Sequence, residues 1–314
     1  MSFDLSGLPA FVDQSSTDLI SAALLKPASV NNLTILAGKQ AGTSAINLLN
    51  SNPYIIDTTC GFGVAQTGPG GATGNTTVFD QIDLVIQSKM LKEQLCPSEL
   101  YDSYLTMQLQ PSAYLESIPF EQRVIQNKID NISAFVETTI WAGDGGNLDG
   151  LLAQGTVANG CISATGAGIV VPFVVATAFT SMFGIINKLS NALRQESDLV
   201  AYMSYTNYQV LIQGIMAQGN SLITQYPNIA NAAGEIESSF IFPGTKCKIF
   251  AAPGLSSNSH ILVGPKKYIY FGTGLLDDAD KMRAFYEPAT DTYNLMGKFR
   301  LGTAIYPSQF ASTV

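Results

Sequence analysis

PFEQRVIQNKIDNISAFVETTIWAGDGG, residues 119–146, reads as one long amphipathic helix that runs into a glycine turn. Pro119 suits the first helical position, where its missing N–H costs nothing, and Glu121 sits where the helix dipole favours an acid. Val124, Ile125, Ile129, Ile132, Phe135, Val136 and Ile140 recur at helical spacing and predict a single apolar stripe. Arg123, Gln126, Asn127, Lys128 and Asp130 lie mostly off it. A helix over residues 119–142 extends roughly 36 Å, long enough to act as the spine of a domain. Trp141, the only tryptophan, is placed to lock the end of that helix into a core, and Gly143-Asp144-Gly145-Gly146 then reverses the chain. Asp144 and Asp149 flank the turn, but their spacing does not fit an EF-hand and the other oxygen ligands are missing. A turn is the better reading.

Composition moves the question from chemistry to assembly. The chain has 314 residues, enough for one large or two medium domains with a substantial core. Charged residues make up only 13% of it and hydrophobic residues 46%, against roughly 25% charged in ordinary soluble domains. Burial against other subunits would explain that deficit, and so would a membrane. The one membrane candidate lies between Asp149 and Lys188, where no charge occurs. Pro172 divides it and Thr177, Thr180 and Ser181 interrupt it, so it falls short of the about 20 apolar residues a span needs. No membrane partner is expected.

The net charge of −8 opposes a nucleic-acid-binding surface held by counterion release. The charge is uneven: residues 246–314 balance to +3 and the rest to −11. Opposite signs at two ends suit head-to-tail contacts between copies. The first 30 residues carry no secretory pattern, and Cys60, Cys96, Cys161 and Cys247 are widely spaced with no CxxC. Reduced thiols in a cytosolic setting follow, in which the glycosylation sequons at Asn32, Asn75 and Asn131 are chance matches.

Outward from the helix, residues 1–54 read as an extended arm with short helical pieces. One is a helix over 19–25 stopped by Pro27, the other a turn or two over Ala45–Asn50. Residues 55–97 read as a hairpin whose tip, Gln66–Thr77, contains Gly68, Pro69, Gly70, Gly71 and Gly74 and forms no packed element. Those glycines do not have dinucleotide-loop spacing, and Gly38-Lys39-Gln40 fails the P-loop pattern. Val78–Ser88 has partial strand alternation. Beyond residue 151 the pattern mixes α and β. A buried strand is expected over Ile169–Val175, a helix over 176–194, a strand over Leu199–Met203 and a helix over Asn207–Ala217. Strands near 247–251, 261–263 and 268–271 follow, then a closing hairpin of Met282–Glu287 and Tyr293–Tyr306.

No segment advertises catalysis. His260, the single histidine, lies in SSNSH without an acid or nucleophile beside it, which suggests a surface or loop-ordering role and no histidine metal site. Asp277, Asp278 and Asp280 read as a solvated acidic loop, and nothing pairs Glu235 with Glu237 for carboxylate chemistry. Neither a cofactor nor a metal is expected, and the chain is read as no enzyme.

The order of these features resembles the major capsid protein of tailed double-stranded DNA bacteriophages. The resemblance covers most of the chain from about residue 30: Asn32–Asp57, Cys60-Gly61-Phe62, Leu95-Cys96-Pro97 with Tyr101–Leu109, and Ile118–Gly146. It continues through Leu148–Leu152, Ala201–Leu211, Gly244–Pro253, Ile261–Tyr270 and Gly297–Phe310. It implies an α+β subunit with an N-terminal arm (1–54), an extended β-hairpin loop (55–97), and a peripheral domain (98–150) holding the spine helix. An axial domain (151–280) with a central sheet and flanking helices follows, then return strands of the peripheral domain (281–314). Pro119, Glu121, Trp141 and Gly143 would shape the spine, and Gly68, Gly70, Gly71 and Gly74 the inter-subunit loop.

Such subunits form hexamers and pentamers of an icosahedral shell around double-stranded DNA, which they enclose without sequence-specific binding. That places the chain in a virion, assembled in the bacterial cytoplasm. The arm begins almost at Met1, so a separate scaffolding protein is expected, together with a portal protein. No lysine lies between Lys39 and Lys89, which speaks against isopeptide cross-linking through the loop. The rival readings are the shell of a cargo-enclosing nanocompartment and, behind it, an enzyme of unknown type.

Overall fold

The long helix is built from one face inward. In the computed structural model, which describes residues 19–21, 23–52, 76–96, 120–217, 239–255, 259–274, 282–290 and 292–314, it spans Phe120–Ala142. Ile129, Ile132, Val136 and Ile140 form its buried stripe, each at most 5% exposed. Phe135 departs from the expected stripe: it is 43% exposed and meets Phe299 edge-on at 6.4 Å. Its position one residue before Val136 rotates it about 100° round the helix. The side chains of Val124 and Ile125, and Pro119 altogether, lie outside the described residues.

Gly143 ends the helix at φ +80°, its N–H bonding to the Thr139 carbonyl. A side chain there would bring Cβ within 2.4 Å of the Leu148 carbonyl oxygen, so glycine is required by both conformation and space. Trp141 is 1% exposed, and its Nε1 donates to Ser29 Oγ at 2.8 Å.

A carboxylate that the apolar pattern conceals lies on the same face. Glu137 is 7% exposed. Its Oε2 accepts from the Ser29 N–H at 3.0 Å, and its Oε1 from Ser29 Oγ at 2.5 Å and from the Gly254 N–H at 3.2 Å. Gly254 reaches the helix because it has no side chain: a Cβ would stand 2.3 Å from the Glu137 carbonyl oxygen.

In chain order the strands are β1 (Thr34–Leu36), β2 (Gly42–Asn52), β3 (Thr76–Leu95), β4 (Ile162–Ser163), β5 (Leu199–Met203) and β6 (Ser239–Ile241). After them come β7 (Lys248–Ala251), β8 (Leu262–Pro265), β9 (Ile269–Thr273), β10 (Met282–Glu287), β11 (Thr292–Ile305) and β12 (Ala311–Ser312). The helices are α1 (Phe120–Ala142), α2 (Leu151–Gln154), α3 (Ala178–Lys188), α4 (Asn191–Arg194) and α5 (Tyr205–Ala217). Residues 19–21 and 23–25 are also helical, as expected before Pro27.

Two sheets result. The first runs β1-β9-β11-β3-β2, with β10 added to β11, and α1 packs on one of its faces. The second runs β4-β12-β8-β5-β7-β6. Its strand β5 is buried on both sides and alternates between two cores. Leu199, Ala201 and Met203 face α3 and α5, whereas Val200 and Tyr202 face the core shared with α1. This is a mixed helix-and-sheet chain, as the α+β reading expects.

Several local expectations are corrected. Ala45–Asn50 is no helical turn but part of β2, held by antiparallel pairing with β3 from Gly42↔Ile86 to Asn52↔Thr76. Tertiary pairing overrides a weak local preference there, and the outgoing limb of the hairpin starts at Gly42 instead of residue 55. Ile169–Val175 is irregular, with a cis bond before Pro172. Pro172 has no N–H to give a ladder, and Val170, Val174 and Val175 are exposed. The helix expected over 176–194 breaks at Leu189–Ser190, where Ser190 Oγ accepts from the Leu193 N–H and starts α4. The closing hairpin is present as β10 and β11.

Replacing Glu137 by Ala leaves the Ser29 and Gly254 N–H groups without their acceptor. We expect a loss of about 2–4 kcal/mol, on the scale of stranded partners of a buried charge, read as a lower midpoint in denaturant titration. An unchanged midpoint would contradict the role given to this carboxylate.

Candidate functional site

The most distinctive geometry belongs to the hairpin. β3 has 20 residues, roughly 66 Å of extended chain. Only its second half lies inside the first sheet: residues 85–95 pair with β11, whereas 76–86 pair with β2. From Leu84 back to Thr76 the pairing is therefore two-stranded among the described residues. Isolated two-stranded ribbons are marginal in water. At its root Ile46 and Ile82, partners in register, pack with Leu36 against Leu84, Ile86, Tyr270 and Ala304. Along the two strands Thr43, Ala45, Asn47, Asp80, Gln81 and Asp83 are exposed.

Two ion pairs set this limb against α1. Lys128 on α1 meets Glu93 on β3 at 2.5 Å. Lys89 on β3 meets Asp144 in the turn after α1. Asp144 Oδ1 also accepts from the Gly146 and Leu148 N–H groups, at 2.9 and 3.0 Å. That aspartate organises the turn, as its position beside Gly143 suggests. The Lys89 ammonium, aided by those two N–H groups, brings its pKa down to about 2.

The other candidates do not converge on a reactive centre. His260 is 4% exposed, which corrects the surface reading. Its Nε2 lies 2.8 Å from Ser312 Oγ, tying the loop to β12, and burial lowers its pKa. Burial likewise pushes the Cys161 thiol up to about 11 and raises that of Cys247. Cys96, Cys161 and Cys247 are free thiols. Lys39 spends its N–H on the Thr273 carbonyl and its Nζ on Ser44 Oγ. Among the described residues no group of three His, Cys, Asp or Glu is arranged to hold a metal, and no helix is long and apolar enough to cross a membrane.

Cys60, Gly68, Gly70, Gly71, Gly74, Pro119, Glu235, Glu237, Asp277, Asp278 and Asp280 lie outside the described residues, as does the side chain of Glu121. Sequence reasoning passed over Glu137 and Lys89. The only signal for Glu137 is an acid lying between Val136 and Ile140 on an otherwise apolar face.

The Lys89–Asp144 pair gives a pH signature. The carboxyl titrates lower in the folded protein than the 3.8 ordinary for aspartate. Its contribution is therefore complete above about pH 4 and fades as pH falls toward 2. Asp144→Asn should cost roughly 0.2–1 kcal/mol at neutral pH, the range of partly exposed pairs. In thermal melts the gap to the parent should close as pH drops from 4 to 2; a gap independent of pH would refute the assignment.

No family model matches the sequence, and no curated protein matches it. Solved structures do. The capsid of the Myoviridae phage XM1 aligns over 90% of this chain and 88% of its own, with TM-score 0.55 and 11% identity. The satellite phage P4 procapsid aligns over 94% and 89%, at 0.55 and 12%. The capsid of the native GTA particle aligns over 93% and 89%, at 0.53 and 13%. At such identities it is the fold that is shared, over at least nine-tenths of this chain: it has the fold of the tailed-phage major capsid proteins.

Proposed function

We propose that this chain is a major capsid subunit, a structural protein that closes with copies of itself into an icosahedral shell around double-stranded DNA. Hexamers and pentamers are its assembly units, with a separate scaffolding protein and a portal as partners, in a virion assembled in the host cytoplasm. Its role is mechanical, without catalysis. The observation that carries this reading is the ribbon of β2 and β3. Nine residues of β3, Thr76–Leu84, pair with β2 alone, and the exposed positions along both strands bring no core of their own. A ribbon of that length gains stability when a neighbouring copy supplies the missing surface. Nearly complete alignment with capsid structures supports the same reading.

In this assignment residues 98–150 and 281–314 make the peripheral domain, with α1 as its spine, and residues 151–280 make the axial domain that closes the capsomer ring. Gly68, Gly70, Gly71 and Gly74 belong to the loop that crosses a neighbour, and Pro119, Glu121, Trp141 and Gly143 shape the spine. The segment up to Gly42 divides in two. Its root is anchored, because Ile20, Leu24, Val30 and Leu33 are buried against α1; what precedes it reaches a neighbour.

Purified protein should show closed particles by negative-stain electron microscopy, and a megadalton species by native mass measurement. Deleting Gly68–Gly74 should abolish or destabilise the particles and leave circular dichroism and the subunit's melting unchanged. A compact monomer at all concentrations would sink the proposal. Particles filled with enzyme cargo in place of DNA would favour the nanocompartment instead.

A further inference from the structure

The ends of α3 and α4 meet the turn between β6 and β7 around an open-sided cavity of about 280 Å³. Phe183 and Ile186 of α3 give it an apolar wall. That wall is firm, because the Phe183 ring meets Phe179 at 5.1 Å and Phe242 at 4.9 Å, both edge-on. Asn187, Asn191 and Arg194 supply the polar side, and the turn at Gly244 completes the lining.

Arg194 is the centre of the polar side. Its Nη1 donates to Asn187 Oδ1 at 2.7 Å and its Nη2 donates to Asn191 Oδ1. Two neutral carbonyls therefore hold the guanidinium in place without answering its charge. Each Nη keeps a second hydrogen, and each amide that gives its oxygen to Arg194 keeps its NH2 group for another acceptor. The Nε–H is buried with no acceptor among the described residues, which adds to the uncompensated positive field.

No carboxylate meets this cation. Arg194 makes no ion pair with any described residue. The two acids that follow it in sequence are spent on Lys267. Glu196 Oε1 accepts from its Nζ at 2.9 Å, and Asp198 Oδ2 from its N–H at 3.2 Å. Lys246, two residues beyond Gly244, brings a second positive charge nearby, its Nζ donating to the Gln195 carbonyl at 3.1 Å. The chain has 24 acidic residues against 16 lysines and arginines, yet no acid lines this cavity. Its chemistry is that of a donor-rich, cationic recess with one apolar wall.

We propose that this recess is a binding site for a small oxyanion, a phosphomonoester or a carboxylate, carried on an apolar ring. The oxyanion accepts from the Nη hydrogens that the two amides leave unused and from the amide NH2 groups. The ring lies against Phe183 and Ile186. A guanidinium already fixed by Asn187 and Asn191 gives up little freedom on binding, and its planar fork matches either oxyanion. The volume is at the small end for ligand sites, which suits a single ring with one charged group. The site uses one chain only, so it stands independently of the shell reading.

The test is calorimetric titration of the full chain with phenyl phosphate, benzoate, inorganic phosphate and neutral benzyl alcohol. The better of phenyl phosphate and benzoate, which names the oxyanion, should bind with Kd of roughly 0.1–1 mM, in keeping with so few atoms. Inorganic phosphate should bind about tenfold more weakly for want of a ring, and benzyl alcohol should give no measurable heat. Arg194→Gln should weaken the better ligand by about tenfold or more. Asn191→Asp gives Arg194 an internal carboxylate. It should abolish binding while the melting temperature stays level or rises, which separates loss of the site from loss of the fold. The proposal is overturned if neither ring-bearing anion binds the folded parent, or if benzyl alcohol or inorganic phosphate binds as tightly as they do. Unchanged binding by Asn191→Asp would overturn it as well.

Discussion

A single buried carboxylate fixes the frame. Glu137 has three donors around it, two from Ser29 and one from Gly254, and these come from segments more than a hundred residues away in either direction. A charge withdrawn from water is tolerated only when its lone pairs are met by donors, and charge-assisted bonds of this kind contribute roughly 1.5–3 kcal/mol each. The geometry leaves little slack, because Gly254 approaches so closely that a methyl group would strike the helix backbone. One turn further on, Trp141 shares Ser29 Oγ and lies 5.4 Å, ring to ring, from Tyr202. Tyr202 in turn donates to the Asn32 carbonyl at 2.5 Å. The chain before β1, the long helix and the second sheet are thus held at one place.

From that place the layers follow. α1 offers its apolar stripe to a core that also takes Phe271, Leu295, Phe299 and Leu301 from the first sheet and Tyr202, Phe250 and Leu262 from the second. β5 is consumed on both faces, which explains a five-residue strand, LVAYM, that is buried at every position and carries no charge. β11 does for the first sheet what α1 does for the whole. Its early residues pair with β10, its late ones with β9, and β3 runs along most of the other side. The hairpin is consequently the continuation of a strand already fixed in a sheet, and its direction is set by Lys89–Asp144 and Lys128–Glu93 instead of by contacts of its own.

What was legible in the sequence was whatever local physics decides. The long helix, its glycine end, β5, α5 and the closing hairpin all show the correct period or turn residues within a short window. What escaped depends on distant partners. Ala45–Asn50 looks like a helical turn until β3 pairs with it, and Ile169–Val175 looks like a buried strand although Pro172 interrupts any ladder. His260 sits in a polar stretch, and partners distant in sequence, Ser312 of β12 and the Gly155 backbone, meet it in the interior. The Arg194 cavity was invisible for the same reason: the turn before β7 is distant in sequence from α3 and α4, and folding alone brings them together.

The low charge content now divides into two parts. Some of it is internal, since a helix-backed first sheet and a second sheet with cores on both faces absorb apolar residues without any partner. Much of the remainder stays on the surface in separated places, among them Met90 and Phe285 on the first sheet, Val170, Val174 and Val175 before α3, and Tyr205, Met216 and Ile241 around α5 and the β6 edge of the second. A two-fold dimer needs one self-complementary patch. Patches on different elements of the two sheets offer surfaces to more than one neighbour. A subunit in a closed shell uses them, because each copy there gives one surface and receives another.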